Sequence, residues 1–430
     1  MIKLNKNIWT IVFISMIIWS CKDSSKLNEQ TKAETPLTAK DILGNPDYLA
    51  MSYGGYRNVD HDIEPTIEEL KEDMKLLSAM GVGIIRTYKV YLPHASNVLK
   101  AISELKKEDP NFEMYVMLGA WINCKGAFTD NIDHNEESEE NAEEINKAVA
   151  LAQQYPDIVK VIAVGNEAMV KWQALYYVQP GIILKWVNHL QELKAKGELS
   201  KDLWITSSDN FASWGGGGEE YHVQDLNRLI KAVDFISMHT YPMHDTHYNP
   251  DFWYVPESEV ALSDMDKIEA AMQRSLEYSK GQYQSVSDYV KSIGADKPIH
   301  IGETGWATVS NSFYGPGGSK ATDEFKEARF HELIRDYTNK NKIACFYFEG
   351  FDEPWKDASN PEGSENHFGL FTVDGKAKYA LWEAVDNGVF EGLTRNGNPI
   401  GKTYNGDKDE LMKDVLVPPT KEEATANHSN

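Results

Sequence analysis

Apolar residues recur along this chain in short unbroken runs. Each run is followed by a stretch in which they return every three or four positions. The first run, Tyr48 to Tyr56, predicts a strand. Thr66-Ile67-Glu68-Glu69 then has the form of a capping box, Ile67, Leu70, Met74 and Leu77 follow at helical spacing, and Gly81 stops the helix. The alternation repeats. It predicts strands over 83–88, 112–120, 159–165, 203–208, 233–240, 298–302 and 343–348. It predicts helices over 95–106, from the acidic run 136–144 to 154, and over 182–195, 223–232, 263–293, 322–338 and 379–385. The acidic run reads as a solvated face favouring a helix start.

Strands that alternate with helices make a parallel sheet, buried on both faces, which is why the runs are continuously apolar. Eight repeats suit an α/β fold closed into a (β/α)8 TIM barrel, which takes about 250 residues plus loop insertions. An open doubly wound sheet would carry a Gly-rich phosphate turn, and neither GxGxxG nor GxxxxGK[ST] occurs. The polar tail beyond Pro418 is expected to be disordered.

The N-terminus breaks the pattern. Lys3 and Lys6 precede an almost wholly apolar segment, Ile8 to Trp19, which Lys22 and Asp23 end. It is shorter than the roughly 20 residues of a spanning helix and suits a signal peptide. Ile18-Trp19-Ser20-Cys21 resembles a bacterial lipoprotein cleavage box, which would make Cys21 the lipidated first residue of the mature chain. The expected organisation is a signal over 1–20, a flexible tether over 21–40, a barrel over 41–395 and an extension over 396–430. The expected location is a lipid-anchored place in a bacterial envelope, at the outer membrane, with the cell surface as one possible face. Charge limits the partners. With 43 Lys+Arg against 66 Asp+Glu, the net charge is −23, the reverse of a nucleic-acid-binding surface. Three cysteines build no disulfide framework, and Cys124 and Cys345 read as buried thiols.

Barrels of this kind carry chemistry at the C-terminal strand ends. The groups there are Tyr53 and Arg57, then Arg86 and Tyr88, Trp121 and Asn123, Asn166 and Glu167, Asp209, His239 and Tyr241, Glu303 and Trp306, and finally Glu349, Glu353, Trp355 and Lys356. Glu167 and Glu303 end the fourth and seventh strands and should face each other across one cleft. Paired carboxyls flanking a bond are what glycoside hydrolysis needs, one neutral to donate a proton and one ionised. The acid needs a raised pKa, from burial or a nearby carboxylate, and Arg86 is a local cation for its ionised partner. Trp121, Trp214, Trp253, Trp306 and Trp355 are candidate sugar platforms, with core packing as the alternative for each. His239, His244, His247 and Asp245 lack the spacing of a zinc motif and read as loop and substrate residues. No metal and no other cofactor is expected. With no GxSxG, serine-hydrolase chemistry has no support.

Four segments carry a resemblance: Val164-Gly165-Asn166-Glu167, Gly302-Glu303-Thr304-Gly305-Trp306, Ile85-Arg86-Thr87-Tyr88, and Phe351-Asp352-Glu353-Pro354-Trp355-Lys356. Through them the chain resembles glycoside hydrolase family 17, the β-1,3-glucanases of the clan of retaining (β/α)8 glycosidases, over residues 45–390. The resemblance implies Glu167 as acid/base, Glu303 as nucleophile, Glu353 and Lys356 as an accessory pair, Asn166 on the sugar 2-hydroxyl and Tyr241 beside the nucleophile. Tyr53, Arg86, Tyr88, Trp121 and Trp306 complete the expected substrate contacts. The implied activity is retaining endo-hydrolysis of a laminarin-like β-1,3-glucan by a monomer. The alternatives are a β-1,3-glucanosyltransferase on the same residues, a clan relative acting on mannan or cellulose, and a non-catalytic glucan-binding lipoprotein. The long segments 131–144 and 243–263 depart from the plant members of the family.

Overall fold

Each apolar run pairs in parallel with the next, and the last pairs with the first. The computed structural model describes residues 36–427. The strands are β1 (Leu49–Ser52), β2 (Val82–Arg86), β3 (Tyr115–Ala120), β4 (Val159–Asn166), β5 (Trp204–Asn210), β6 (Ile236–His239), β7 (Ile299–Gly305) and β8 (Cys345–Phe348), and they close into one barrel in chain order. Every neighbouring pair is parallel. Closure leaves no strand edge to protect. The main helices follow the strands as expected: α1 (Ile67–Ala79), α2 (Pro93–Glu108), α3 (Glu140–Gln154), α4 (Pro180–Lys196), α5 (Gln224–Ala232), α6 (Asp264–Ser292), α7 (Glu324–Lys340) and the short α8 (Trp382–Asp386). The Thr66 hydroxyl accepts from the Glu69 N–H, and the Glu69 carboxylate reaches back to Thr66, so the capping box forms as read.

Strand alternation sorts the side chains. Ile85, Val116, Leu118, Ile162, Val164 and Met238 face the helices. Ala50, Ile84, Met117, Val161, Ala163, Phe235 and Phe346 fill the lower interior. Ser208, Ser237 and Arg86 continue the inner face upward, and all three are fully buried. The interior therefore turns from apolar to polar toward the strands' C-terminal ends.

Four expectations change. The start of the acidic run does not begin a helix: Asp133–Glu137 pairs antiparallel with Cys124–Lys125, and α3 starts at Glu140. Nor is Glu144 solvated. It is buried, accepting the backbone N–H groups of Val90 at 2.7 Å and Trp121 at 3.0 Å, and so fixes the loops after β2 and β3. The tether's end is ordered, because Thr38 and Asp41 cap a short helix, Ala39–Ile42, whose Ala39 and Ile42 plug the apolar end of the barrel. The C-terminal extension is likewise tied down. Arg395 is buried with Nε 3.0 Å from Asp73 Oδ1, so the 395/396 boundary falls inside one hairpin, Thr394–Arg395 with Asn398–Pro399. Past Pro418, Val255 N–H donates to Pro419 O at 3.0 Å, and Thr420 and Glu423 cap a helix, Lys421–Asn427. Local capping makes a helix of a segment whose composition alone suggested disorder. The signal over 1–20, Cys21 and the tether as far as residue 35 lie outside the described residues. No helix among the described residues is long and apolar enough to cross a membrane.

His300 on β7 is buried, and its Nδ1 accepts the Ala344 N–H at 3.0 Å. Burial pushes its imidazole down to about 4. Below about pH 6.5 the unfolded chain takes up a proton there that the folded chain refuses, so this contribution is complete above pH 6.5 and is lost as pH falls toward 4. Denaturant unfolding of His300→Gln should show a slope of stability against pH, between 6.5 and 4.5, shallower than wild type by roughly 1.4 kcal/mol per unit. Equal slopes would rule this out.

Candidate active site

Glu167 follows β4 directly, and the backbone that delivers it is unusual. Gly165 has φ 82° and Glu167 has φ 46°, both left-handed, while the Glu167 N–H donates to Ser208 O at 3.0 Å. A non-glycine residue in that region costs about 1–3 kcal/mol and is held only where its surroundings demand it. Glu303 arrives differently. It lies within β7, where strict alternation after His300 and Gly302 would turn it outward. A register shift between β6 and β7 at Met238/His239 sets Glu303 opposite His239 and re-aims it at the barrel axis.

His239 joins the two carboxylates. Its Nδ1 lies 3.1 Å from Glu167 Oε1 and 3.3 Å from Glu303 Oε2, which together cap the separation of these oxygens at 6.4 Å. Its Nε2 faces Arg86 at 3.2 Å and the Ser208 hydroxyl at 2.7 Å. A guanidinium only donates, so Nε2 accepts, and the network assigns the ring proton to Nδ1, pointing at both carboxylates. Arg86 also reaches Glu303 Oε2 at 3.0 Å, Gly302 O at 2.9 Å and the Asn166 side-chain oxygen. The Tyr241 hydroxyl donates to Glu303 Oε1 at 3.0 Å. Gly302 is required beneath this layer, because a Cβ there would collide with the Ser208 and Ser237 hydroxyls.

Burial pushes the Glu167 carboxyl up, but the hydrogen bond from His239, aided by Gln173, outweighs it and leaves it below the ordinary range. The sequence called for a raised value. The difference comes from His239, which the spacing of the histidines reads as a loop and substrate residue. Burial takes Asp209, behind the Glu167 loop, up to about 7 despite hydrogen bonds from the Met169 and Asn210 N–H groups; the neighbouring Glu167 charge adds to the rise.

A second cluster lies after β8. Lys356 Nζ sits 2.6 Å from Glu349 Oε1 and 2.9 Å from Glu353 Oε2. Burial, with the neighbouring Glu353 charge, holds Glu349 well above the usual carboxylate range. The ammonium of Lys356 overcomes burial at Glu353 and holds it below. One cation thus faces two carboxyls that burial and charge push in opposite directions. The Tyr56 N–H donates to Glu353 Oε1 at 2.9 Å, across a turn where Gly54 has no room for a Cβ against that carboxylate. Glu349 ends a strand as Glu167 does, a signal available in the sequence.

The remaining expected contacts divide. Tyr88 is half-buried with the Arg86 guanidinium 4.7 Å from its ring centre. Trp121 is half-buried, 5.2 Å from Tyr176. Trp355 is half-buried, 3.9 Å from His61 and 5.7 Å from Tyr56. Tyr53, by contrast, is buried with its hydroxyl donating to Asp73 at 3.0 Å, away from the carboxylate pair. Trp306 is fully buried between Trp253 and Phe330, its Nε1 donating to Ala321 O. Trp214 and Trp253 are also core residues. Each indole N–H donates to a backbone carbonyl, that of Ser237, Ser319 or Ala321, and packing takes the ring. Among the described residues, no three His, Cys, Asp or Glu side chains converge as metal ligands. Cys124 and Cys345 are free and buried.

Residues 50–369 match the family model described as the BtgE/BtgC glycoside hydrolase domain. The crystal structure of an endo-laminarinase from Formosa Hel1_33_131 is 68% identical, with a TM-score of 0.89 over 90% of this chain and 98% of that one. A glucan 1,3-beta-glucosidase of Schizosaccharomyces pombe is 24% identical over 76% of this chain and 84% of its own length. One of Arthroderma benhamiae is 34% identical over 20% of this chain, which spans only 28% of that protein.

In His239→Ala, the Glu167 carboxyl loses the hydrogen bond that lowers it and should titrate at higher pH than in wild type, read by NMR of ¹³C-labelled glutamate. A titration point that stays put or falls would show that His239 does not set it.

Proposed function

The chain belongs to the BtgE/BtgC glycoside hydrolase domain family, and from that premise we propose that it is an endo-acting β-1,3-glucan hydrolase that cleaves laminarin-type polysaccharide by double displacement. The observation that carries the reading is the pair of carboxylates, Glu167 and Glu303, with facing oxygens held within 6.4 Å of each other on the Nδ1 of His239. That ceiling is compatible with the ~5–5.5 Å spacing of retaining pairs and falls short of the ~6.5–9.5 Å that leaves room for an inverting water.

Glu303 is the nucleophile. Arg86 and Tyr241 each occupy one of its oxygens, which fixes the direction of its attack on the anomeric carbon. Glu167 is the acid. Entry of a glucosyl unit displaces water from between the carboxylates, and one proton shared in that space relieves their repulsion, so Glu167 protonates as the site fills. It passes that proton to the leaving oxygen as the bond to C1 breaks. It then removes a proton from water, which attacks C1, releases Glu303 and returns the sugar with retained configuration. Asn166, oriented by Arg86, is placed for the 2-hydroxyl. Glu353 and Lys356 line the sugar on the nucleophile's side.

Cys21 is read as the lipid acceptor that anchors a monomeric enzyme to a bacterial envelope, at the outer membrane. The support is the apolar segment and its cleavage box; one acyl chain holds weakly and several hold firmly.

Glu303→Ala should lower the release of reducing ends from laminarin by about 10³-fold or more. Undiminished release would remove the site. Glu167→Ala should lose about 10²–10⁴-fold, less on substrates whose leaving group needs no proton. Cys21→Ser should move the protein from the detergent phase to the aqueous phase on Triton X-114 partition of cells; retention in detergent would exclude the anchor.

A further inference from the structure

After α8 the chain turns back in the hairpin Thr394–Arg395 with Asn398–Pro399, and this hairpin sends a charged side chain into the core. Arg395 is fully buried, as is the Asp73 carboxylate it binds, with Nε 3.0 Å from Oδ1 and Nη2 3.4 Å from Oδ2. Its third nitrogen donates to Val373 O. A forked guanidinium on a carboxylate fixes direction as well as charge, which a lysine would not do.

The partners of Arg395 lead to two loops of the active site. Asp73 Oδ2 also accepts the Tyr53 hydroxyl at 3.0 Å, and Oδ1 accepts Arg57 Nη2 at 2.8 Å, so both ends of the turn after β1 are fixed on one carboxylate. Asn396, next to Arg395, accepts the other Arg57 amino group at 2.6 Å. Within the turn Gly55 has φ 77°, and a Cβ there would lie 2.2 Å from the Tyr53 hydroxyl, so the turn closes directly over that contact. The Arg395 guanidinium also lies 4.2 Å from the ring centre of Phe351, two residues before Glu353 on the loop after β8. Tyr53 and Phe351 meet edge to face at 6.3 Å.

These two loops join where the Tyr56 N–H donates to Glu353 Oε1 at 2.9 Å. A hydrogen bond between two loops keeps its geometry only if both are held to one rigid support. Arg395 touches one loop through Asp73 and the other through Phe351. We propose that Arg395 is a positioning residue that sets the Tyr56–Glu353 contact, and with it the grip of Glu353 and Lys356 on the glucosyl unit at the nucleophile's side of the cleaved bond. The proposal deepens the reading of the site given above and rests on it. It makes the C-terminal hairpin a working part of the substrate pocket, and it gives Tyr53, which lies away from the carboxylate pair, an indirect role in the same hold.

The test uses the full chain and 2-deoxy-2-fluoro-β-laminaribiosyl fluoride, which fills only the nucleophile's side. Attack by Glu303 forms the bond to C1 and expels fluoride, and the 2-fluoro group slows release of the sugar, so the size of the fluoride burst counts formed sites. The half-saturating concentration for the burst rate then reports the grip on the sugar in those formed sites alone. In Arg395→Ala it should rise about tenfold, and in Arg395→Lys, which keeps the charge but loses the fork, by less. A burst that shrinks in either variant while half-saturation stays at the wild-type value, or that vanishes in both, makes Arg395 a folding residue and overturns the proposal. An unchanged burst with unchanged half-saturation overturns it as well. No burst from the wild-type protein overturns the double-displacement reading, and the proposal with it.

Discussion

Arg86 carries a permanent positive charge into the centre of the barrel, where no water reaches it. A buried guanidinium is stable only if acceptors surround it, and leaving it unpaired costs about 3–5 kcal/mol. Here the acceptors are Glu303, the Asn166 amide oxygen, the Gly302 carbonyl and the unprotonated nitrogen of His239. They come from the fourth, sixth and seventh strands, so one cation from the second strand gathers groups from across the barrel. The tautomer of His239 and the directions of the Glu303 and Asn166 side chains follow from its demand for lone pairs. Removing the charge would leave the carboxylate pair facing itself.

The polar layer exists because something else bears the burden of stability. Below it the barrel is filled by aliphatic and aromatic side chains and sealed by Ala39 and Ile42, and outside it the strands pack on a continuous helix layer. The Asp73 carboxylate, bound by Tyr53, Arg57 and Arg395, ties the C-terminal hairpin to the first helix. With the scaffold secured in this way, the strand ends can hold a left-handed glutamate, a re-aimed glutamate and a buried pair of carboxyls over Lys356. None of these would form in an isolated peptide.

The same division explains the aromatic residues. Indoles fully buried with their N–H on a backbone carbonyl, as in Trp214, Trp253 and Trp306, are consumed by packing. Rings left partly or largely exposed remain available, as Trp355 beside His61 and Phe128 do. A strongly negative surface suits this arrangement, since a neutral glucan is gripped by stacking and hydrogen bonds and needs no cationic patch.

The sequence by itself determined the barrel, the order of its strands and the two glutamates at opposite strand ends, because hydrophobic periodicity and strand position are local properties that a parallel closed sheet preserves. It also made Arg86, Tyr241, Glu353 and Lys356 visible as polar groups ending apolar runs. It did not reveal His239 as the bridge, Glu144 as a buried loop clamp, or Tyr53 and Trp306 as core residues. Those outcomes depend on which face of a strand a side chain takes after a register shift, and on which backbone groups elsewhere in the chain it meets. Whether Glu167 is raised or lowered was decided only when the sixth strand brought an imidazole within 3.1 Å of it, a contact between residues 72 positions apart that no local pattern encodes.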